Sequence, residues 1–280
     1  SAEEGVWENH RLVLLPDTVT LHEDLTQRLH DYIAKGGAVL STGRSGLRFE
    51  GEQFALEQEW GLHYQGESVW DPAYFTPAPA FSQGLPDMPL ALYEKGIAVT
   101  PHPETEVGAF ITAPYYNKHW DGRHAYYYCP PDRQSNEPLL TINGRVGHIT
   151  HPVFTAYHTQ VASLELRQLV CNVLERLLPR PLLKVQQAPS FLKAFVTSRE
   201  GQTIIHLLAY VPDLRGRVQI VEDAIAVTDC QVAIRLDGQP PKKVYLAPDG
   251  TPVSTLERNG YLHISVPPFK GYAMLVLEIL

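Results

Sequence analysis

Residues Leu40 to Leu47 read LSTGRSGL, so Ser45 stands between Arg44 and Gly46 directly after the apolar run Ala38-Val39-Leu40. A serine on a tight turn after a buried strand is the setting of a nucleophile elbow. That device needs small residues on both sides of the nucleophile and a following helix whose N-terminus steadies the oxyanion. Here the second glycine is adjacent to Ser45 instead of two positions on, and the LRFEG that follows starts no helix. A plain turn accounts for the pattern. Arg44 and Ser45 are then expected as polar side chains at the carboxyl end of a parallel strand, available to a cleft rim or an interface.

Half of the 12 histidines fall between positions 102 and 158. His148 and His151 are three apart on one expected strand, which sends their side chains to opposite faces and makes a shared ion awkward. No metal site and no cofactor is expected. Pro152 ends that strand and leaves His151 at its carboxyl end, where open α/β sheets bind ligands. The segment PYYNKHWDGRHAYYYCPPDR (114–133) interleaves Tyr115, Tyr116, Trp120, Tyr126, Tyr127 and Tyr128 with Asn117, Asp121 and His124. Such rings, each an apolar plate with a polar edge, can stack on and hydrogen-bond a sugar. Alternate tyrosines also fill cores and interfaces, and that plainer role carries more weight. No acidic pair has a spacing that nominates a glycosidase acid and nucleophile.

The elements that must position these residues alternate in the first part of the chain. RLVLLP (11–16) is a buried strand, LHEDLTQRLHDYIAKGG (21–37) repeats apolar residues at near-helical spacing before a Gly-Gly stop, and AVLSTG is a second strand. Strand, helix, strand at this spacing predicts a right-handed parallel βαβ unit. From about 64 to 110 the prolines from Pro72 to Pro103 interrupt every short run, which predicts a loop-rich insertion. RVGHITHPVF (145–154) reads as a strand broken by Pro152. VASLELRQLVCNVLERLL (161–178) reads as a helix with a wide apolar face, ended by PRPLL. Beyond it the period changes to two, with a hairpin in FLKAFVTSREGQTIIHLLAYVP and turns at Asp237-Gly238, Asp249-Gly250 and Asn259-Gly260. The expected organisation is α/β over 1–180, followed by a small antiparallel β-sandwich over 181–280.

Composition narrows the partners. Lys plus Arg number 23 against 31 acidic residues, giving a net charge of −8 with no block of like charge, so neither nucleic acid nor an anionic membrane surface is an expected partner. No apolar run approaches the roughly 20 residues that span a bilayer, and SAEEGVWENH has neither the basic nor the apolar region of a signal peptide. Cys129, Cys171 and Cys230 form no C-x-x-C pair, which fits a reducing cytoplasm better than a disulfide framework.

Three places resemble the class I glutamine amidotransferase fold, a flavodoxin-like parallel sheet. They are the strand-Pro VLLPD, the strand-turn VLSTGRSG and the strand ending in His-Pro at 151–152. In that family these places hold a glycine-rich oxyanion loop, a cysteine elbow and a His-Pro-Glu. Here Pro16-Asp17-Thr18 lacks the glycines, the Gly43–Gly46 turn lacks a cysteine, and Val153 replaces the carboxylate that would orient His151. Without thiol or orienting carboxylate, glutaminase chemistry is not expected. Over most of the chain PYYN, HPVFTAY, LLPRPLL, IIHLLAYVP, VEDAI, VYLAPDG and GYLHISVPPFKGYAMLVLE occur in order. This resembles the region after the catalytic barrel in bacterial glycoside hydrolases of the β-galactosidase and α-L-fucosidase-like kind, similar to glycoside hydrolase family 42.

The resemblance implies an amidotransferase-like trimerisation domain lacking its triad and a C-terminal β-sandwich. It also implies that the catalytic barrel, with the first strand and helix of this domain, lies upstream. The expected function is a non-catalytic accessory and oligomerisation region of a carbohydrate-active enzyme, a trimer in the parent, and not an enzyme by itself. The alternatives are a carbohydrate-binding module built on 114–128 and, with least support, an independent Ser45–His151 hydrolase. The candidate cleft or sugar-contacting residues are Arg44, Ser45, Tyr115, Tyr116, Asn117, Trp120, His124 and His151.

Overall fold

In the computed structural model, residues 7–49, 51, 53–158, 163–238 and 240–279 are described. The chain divides into two compact units, 1–179 and 180–280. In class it is broadly α/β, with far more strand than helix.

The first unit runs β1 (Leu12–Leu15), α1 (Glu23–Ala34), β2 (Ala38–Thr42), α2 (Glu57–Trp60), β3 (Leu62–Glu67), β4 (Ala73–Pro77), β5 (Leu90–Leu92), β6 (Ile97–Pro101), β7 (Glu106–Pro114), β8 (His119–Trp120), β9 (Ala125–Tyr126), β10 (Pro131–Asn143), β11 (Val146–Ile149), α3 (Val153–His158) and α4 (Leu164–Leu177). Its main sheet has the order β1-β2-β11-β10-β7-β4-β5. β2 pairs in parallel with β1 on one side and β11 on the other, whereas every pairing beyond β11 is antiparallel. The sheet is therefore mixed, not the parallel sheet expected from the sequence. The reversal occurs at Gly144-Arg145, where Gly144 takes a φ of 55° and Asn143 faces Val146 across a two-residue turn.

β2 shows why so short a run forms a central strand. All five of its residues are buried, as a parallel strand covered on both faces requires. Alternation then divides them: Ala38 and Leu40 join the core shared with α4, where Leu166, Leu169, Val173 and Leu177 pack, while Val39 joins the core shared with Leu29 and Tyr32 of α1. Each such Leu or Val contributes about 1.5–3 kcal/mol of burial. α1 stops at Gly36, whose φ of 89° favours glycine, and at Gly37, which leaves room for the Tyr32 ring. α4 covers the predicted segment from Leu164 on; positions 161 and 162 lie outside the described residues.

The stretch 64–110 is a correction. It is not loop-rich: β4 and β5 extend the main sheet, and β3 and β6 form a separate antiparallel ribbon. Its prolines sit where strands tolerate them, with Pro72 just before β4 and Pro77 and Pro101 at strand ends. The strand expected over 145–154 is likewise shorter, and Pro152 precedes α3 instead of breaking a strand.

The second unit contains β12 (Leu183–Gln186), β13 (Lys193–Arg199), β14 (Gln202–Ala209), β15 (Asp213–Arg215), β16 (Val218–Ile220), β17 (Ala226–Val227), β18 (Gln231–Arg235), β19 (Lys243–Ala247), β20 (Thr251–Pro252), β21 (Ser254–Arg258), β22 (Tyr261–Ser265) and β23 (Phe269–Glu278). One sheet has the order β12-β18-β22-β21 and the other β13-β14-β23-β19-β20, with β17 also on β23. Ile205, Leu207 and Leu275 from the second and Val232, Leu262 and Ile264 from the first meet in one core. The β13–β14 hairpin turns at Glu200-Gly201 and the β21–β22 hairpin at Asn259-Gly260. Both residues of the latter turn have positive φ, as a two-residue primed turn demands.

Candidate functional site

The carboxyl ends of β1, β2 and β11 meet at the place where an open α/β sheet offers a ligand crevice. Asp17 occupies it. Although a non-glycine, it has a φ of 53° just after β1, and it is 5 % exposed. Its backbone N–H donates to Thr42 Oγ1 (2.8 Å), and its carbonyl accepts the Arg44 N–H (2.7 Å). Its carboxylate accepts the Thr42 hydroxyl (2.5 Å), the Phe154 N–H (3.4 Å), and both the N–H (2.5 Å) and the hydroxyl (2.7 Å) of Thr155. One side chain thus ties β2 to the first turn of α3 and takes up donors that a substrate anion would need. Gly43 is required beside it, because a Cβ there would come within 2.7 Å of the Asp17 carbonyl oxygen.

Ser45 is fully buried, and its hydroxyl oxygen accepts the Val19 N–H at 2.9 Å. It is not a rim residue, which corrects that expectation: the loop after β1 folds over it and uses it as an acceptor. Arg44 is half-exposed and pairs with Glu67. His151 is buried against Gly96, at a position where no methyl would fit. Its Nδ1 lies 3.2 Å from the Thr150 hydroxyl, its Nε2 has no partner among the described residues, and burial pushes the imidazole down to about 4. Ser45 and His151 take separate partners and form no hydrogen bond with each other, so no dyad is assembled. His148 is held apart from both, with Nδ1 2.8 Å from Ser41 Oγ, which also receives the Trp60 indole N–H. Burial pushes it down to about 3.

The aromatic segment leaves the sheet at the end of β7. It is an excursion between β7 and β10 that carries the β8–β9 ribbon, with His119 opposite Tyr126 and their rings stacked 4.6 Å apart. Tyr115, Trp120 and Tyr128 are 67 %, 62 % and 86 % exposed, so these rings fill no core within the chain. Asn117 and Asp121, polar groups expected to read a sugar, are committed to bonds within the protein. Asn117 accepts the Asp71 N–H (2.8 Å) and donates to the Val69 carbonyl (2.7 Å). Asp121 accepts the N–H groups of Arg123 (2.8 Å) and His124 (2.6 Å), bonds that hold its carboxyl below the usual range, and His124 leans on it at 3.6 Å. Tyr127 and Tyr128 line a shallow depression of about 310 Å³ with Tyr74 and Tyr93. Tyr116 donates its hydroxyl to the Tyr128 carbonyl (3.1 Å).

No family model matches the sequence, and no curated protein matches it. Solved structures do. α-L-Fucosidase isoenzyme 2 from Paenibacillus thiaminolyticus superposes over 99 % of this chain and 42 % of its own, with a TM-score of 0.90 and 27 % identity. The chain is similar to part of a glycoside hydrolase. The catalytic mutant E323A of Gan42B, a GH42 β-galactosidase from G. stearothermophilus, matches 96 % of the chain and 32 % of its own at 14 % identity and a TM-score of 0.55. The β-galactosidase from Rahnella sp. R3 gives the same coverages at 12 % identity and a TM-score of 0.56. The two galactosidases show shared fold alone. The chain spans less than half the length of each of these glycoside hydrolases.

Within this glycoside-hydrolase-like chain, Asp17 is the site residue that sequence reasoning undervalued. Pro-Asp-Thr after an apolar strand reads there as a loss of glycines. Only the approach of α3, more than 130 positions on, shows that a carboxylate fills the space.

Proposed function

We propose that this chain is a non-catalytic accessory region of a carbohydrate-active glycoside hydrolase, with assembly of the parent enzyme as its role. In this proposal the first unit is a class I glutamine amidotransferase-like, trimerisation-type domain, and the second is a β-sandwich. The parallel strands β1, β2 and β11 carry the flavodoxin-like part. The observation that supports the reading most is the crevice, where Asp17, Thr42, Thr155, Ser45 and the Val19 amide satisfy one another and leave no exposed nucleophile. The 0.90 TM-score over a fraction of a fucosidase supports placing the chemistry of the parent outside these residues. The three cysteines are free thiols, which fits a cytoplasmic protein. The chain is expected to turn over neither glutamine, simple esters, fucosides nor galactosides, and to sediment as a homo-oligomer. Turnover that Ser45→Ala or His151→Ala abolishes refutes the accessory reading, and a strict monomer refutes assembly by these residues.

A second reading has its own observation, the exposed Tyr115, Trp120 and Tyr128 rings, which suit a sugar-binding edge. Titration with galactose, fucose and their oligosaccharides then changes Trp120 fluorescence saturably and leaves Trp120→Phe silent. An unchanged signal in the parent chain removes this reading.

A further inference from the structure

Where β3 begins and β6 ends, their ribbon gathers three potential ligands that sequence spacing keeps apart. α2 ends at Gly61, whose φ of 64° and N–H to the Glu57 carbonyl (2.8 Å) reverse the chain, so that Glu57 meets His63 on β3 with 3.0 Å between its carboxylate and Nδ1. No other residue fits at Gly61, since a Cβ would strike the Thr105 hydroxyl and lie 2.9 Å from the Asn143 amide. β6 pairs with β3, placing His63 opposite Thr100 and bringing His102 alongside, its N–H on the Gly61 carbonyl (2.8 Å) and its ring 4.4 Å from that of His63. The frame is braced: Thr105 donates its hydroxyl to the Gly61 carbonyl (2.9 Å) and its N–H to the His102 carbonyl (3.0 Å). The Asn143 amide holds the carbonyls of Gln58 (2.8 Å) and Glu59 (3.1 Å) at the end of α2.

We propose that Glu57, His63 and His102 form a binding site for a divalent transition-metal ion of the zinc type. Each offers one donor atom, and the three donors lie within 4.8 Å of one another. Two imidazoles and a carboxylate are a borderline donor set that suits zinc or cobalt better than magnesium or calcium, and three protein ligands leave a fourth position open. A tetrahedral ion with bonds of about 2.1 Å brings its donors to roughly 3.4 Å. The half-exposed His63 and one-third-exposed Glu57 can close that difference by side-chain rotation. An independent observation points to the same ligand. The His102 side chain is only 10 % exposed; its Nδ1 lies 3.7 Å from Glu104, and its buried Nε2 has no hydrogen-bond partner among the described residues. An unpaired imidazole nitrogen in a buried ring is costly, and an ion in the cluster relieves it, with Glu104 placed as the outer carboxylate such histidines commonly have.

The test is a titration of the tag-free, chelator-treated chain with cobalt(II), read by visible absorption. Saturation at one ion per chain is expected, with the intense bands of a four- or five-coordinate site. Zinc should displace the cobalt and raise the thermal midpoint, and magnesium should do neither. Glu57→Gln and His63→Ala, both at accessible positions, should each weaken binding by at least about tenfold. His102→Ala risks misfolding because that ring is buried, so the decision rests on the other two. Absence of saturable binding, or binding unchanged in both variants, overturns the proposal.

Discussion

Asp17→Asn isolates the carboxylate that closes the crevice. Asparagine keeps the shape and, like aspartate, tolerates the left-handed φ of 53°, so backbone strain is nearly unchanged. It replaces one of two acceptor oxygens by a donor that faces either the N–H and hydroxyl of Thr155 or the Thr42 hydroxyl and the Phe154 N–H. A hydrogen bond to a charged group is worth about 1.5–3 kcal/mol, and a buried donor left unmade costs about 1–3 kcal/mol. Because the threonine hydroxyls can rotate to other partners, the net loss is set by the backbone N–H that meets the new amide, that of Phe154 or of Thr155, and comes to roughly 1–3 kcal/mol. With a urea slope of about 2–3 kcal/mol per molar, the midpoint falls by about 1 M. The assay is unusually selective, since all four tryptophans, at 7, 60, 70 and 120, belong to the first unit, and their fluorescence follows its unfolding. Two companions separate backbone from carboxylate: Asp17→Gly loses the carboxylate but relaxes the φ, and Asp17→Ala loses it and adds about 1 kcal/mol of strain. An Asp17→Asn midpoint within about 0.2 M of the parent, at equal slope, refutes the assignment of Asp17 as the tie between β2 and α3.

Two further perturbations follow from the same buried groups. As pH falls through 6.5 the unfolded chain protonates His148 and His151, while the folded chain, with these at about 3 and about 4, does not. The unfolded state therefore gains protons and stability falls with pH, by up to about 1.4 kcal/mol per pH unit for each histidine. Urea midpoints between pH 7 and 5 check this, and a slope untouched by both His148→Gln and His151→Gln refutes it. Ser45→Ala leaves the Val19 N–H unpaired and should cost about 1–2 kcal/mol in the same fluorescence assay, with no change in hydrolytic background. A cost near zero means that the hydroxyl is not the structural acceptor described.

The parts of this fold legible in the sequence are those in which a local pattern states its own environment. Ala38 to Thr42 is apolar or small throughout because it is covered on both faces, and Asn259-Gly260 specifies its hairpin because few residue pairs adopt two positive φ values in succession. β4 was hidden for the opposite reason: five residues ending at Pro77 give too short a run to outweigh the prolines, and the pairing that makes it a strand comes from Thr112 to Ala109 on β7. The site follows the same division. That His151 ends a strand region could be read, but its burial could not, because Gly96 covers it from a different part of the chain. Ser45 looked accessible until Val19 closed over it. The cluster of Glu57, His63 and His102 has no motif spacing at all; its proximity arises from β3 pairing with β6.

The pin at Asn117 has a consequence for whatever meets the aromatic excursion. With the root of the ribbon held to Val69 and Asp71, and Trp70 beside them donating to Glu137 on β10 (2.9 Å), the backbone that presents Trp120 and Tyr128 is already ordered before contact. A sugar or a neighbouring subunit then has only the rotation of individual rings left to freeze, about 0.5–1.5 kcal/mol each, instead of the far larger entropy of folding a sixteen-residue loop (115–130). The excursion is exposed without being slack, and weak contacts spread over several rings can add up on it.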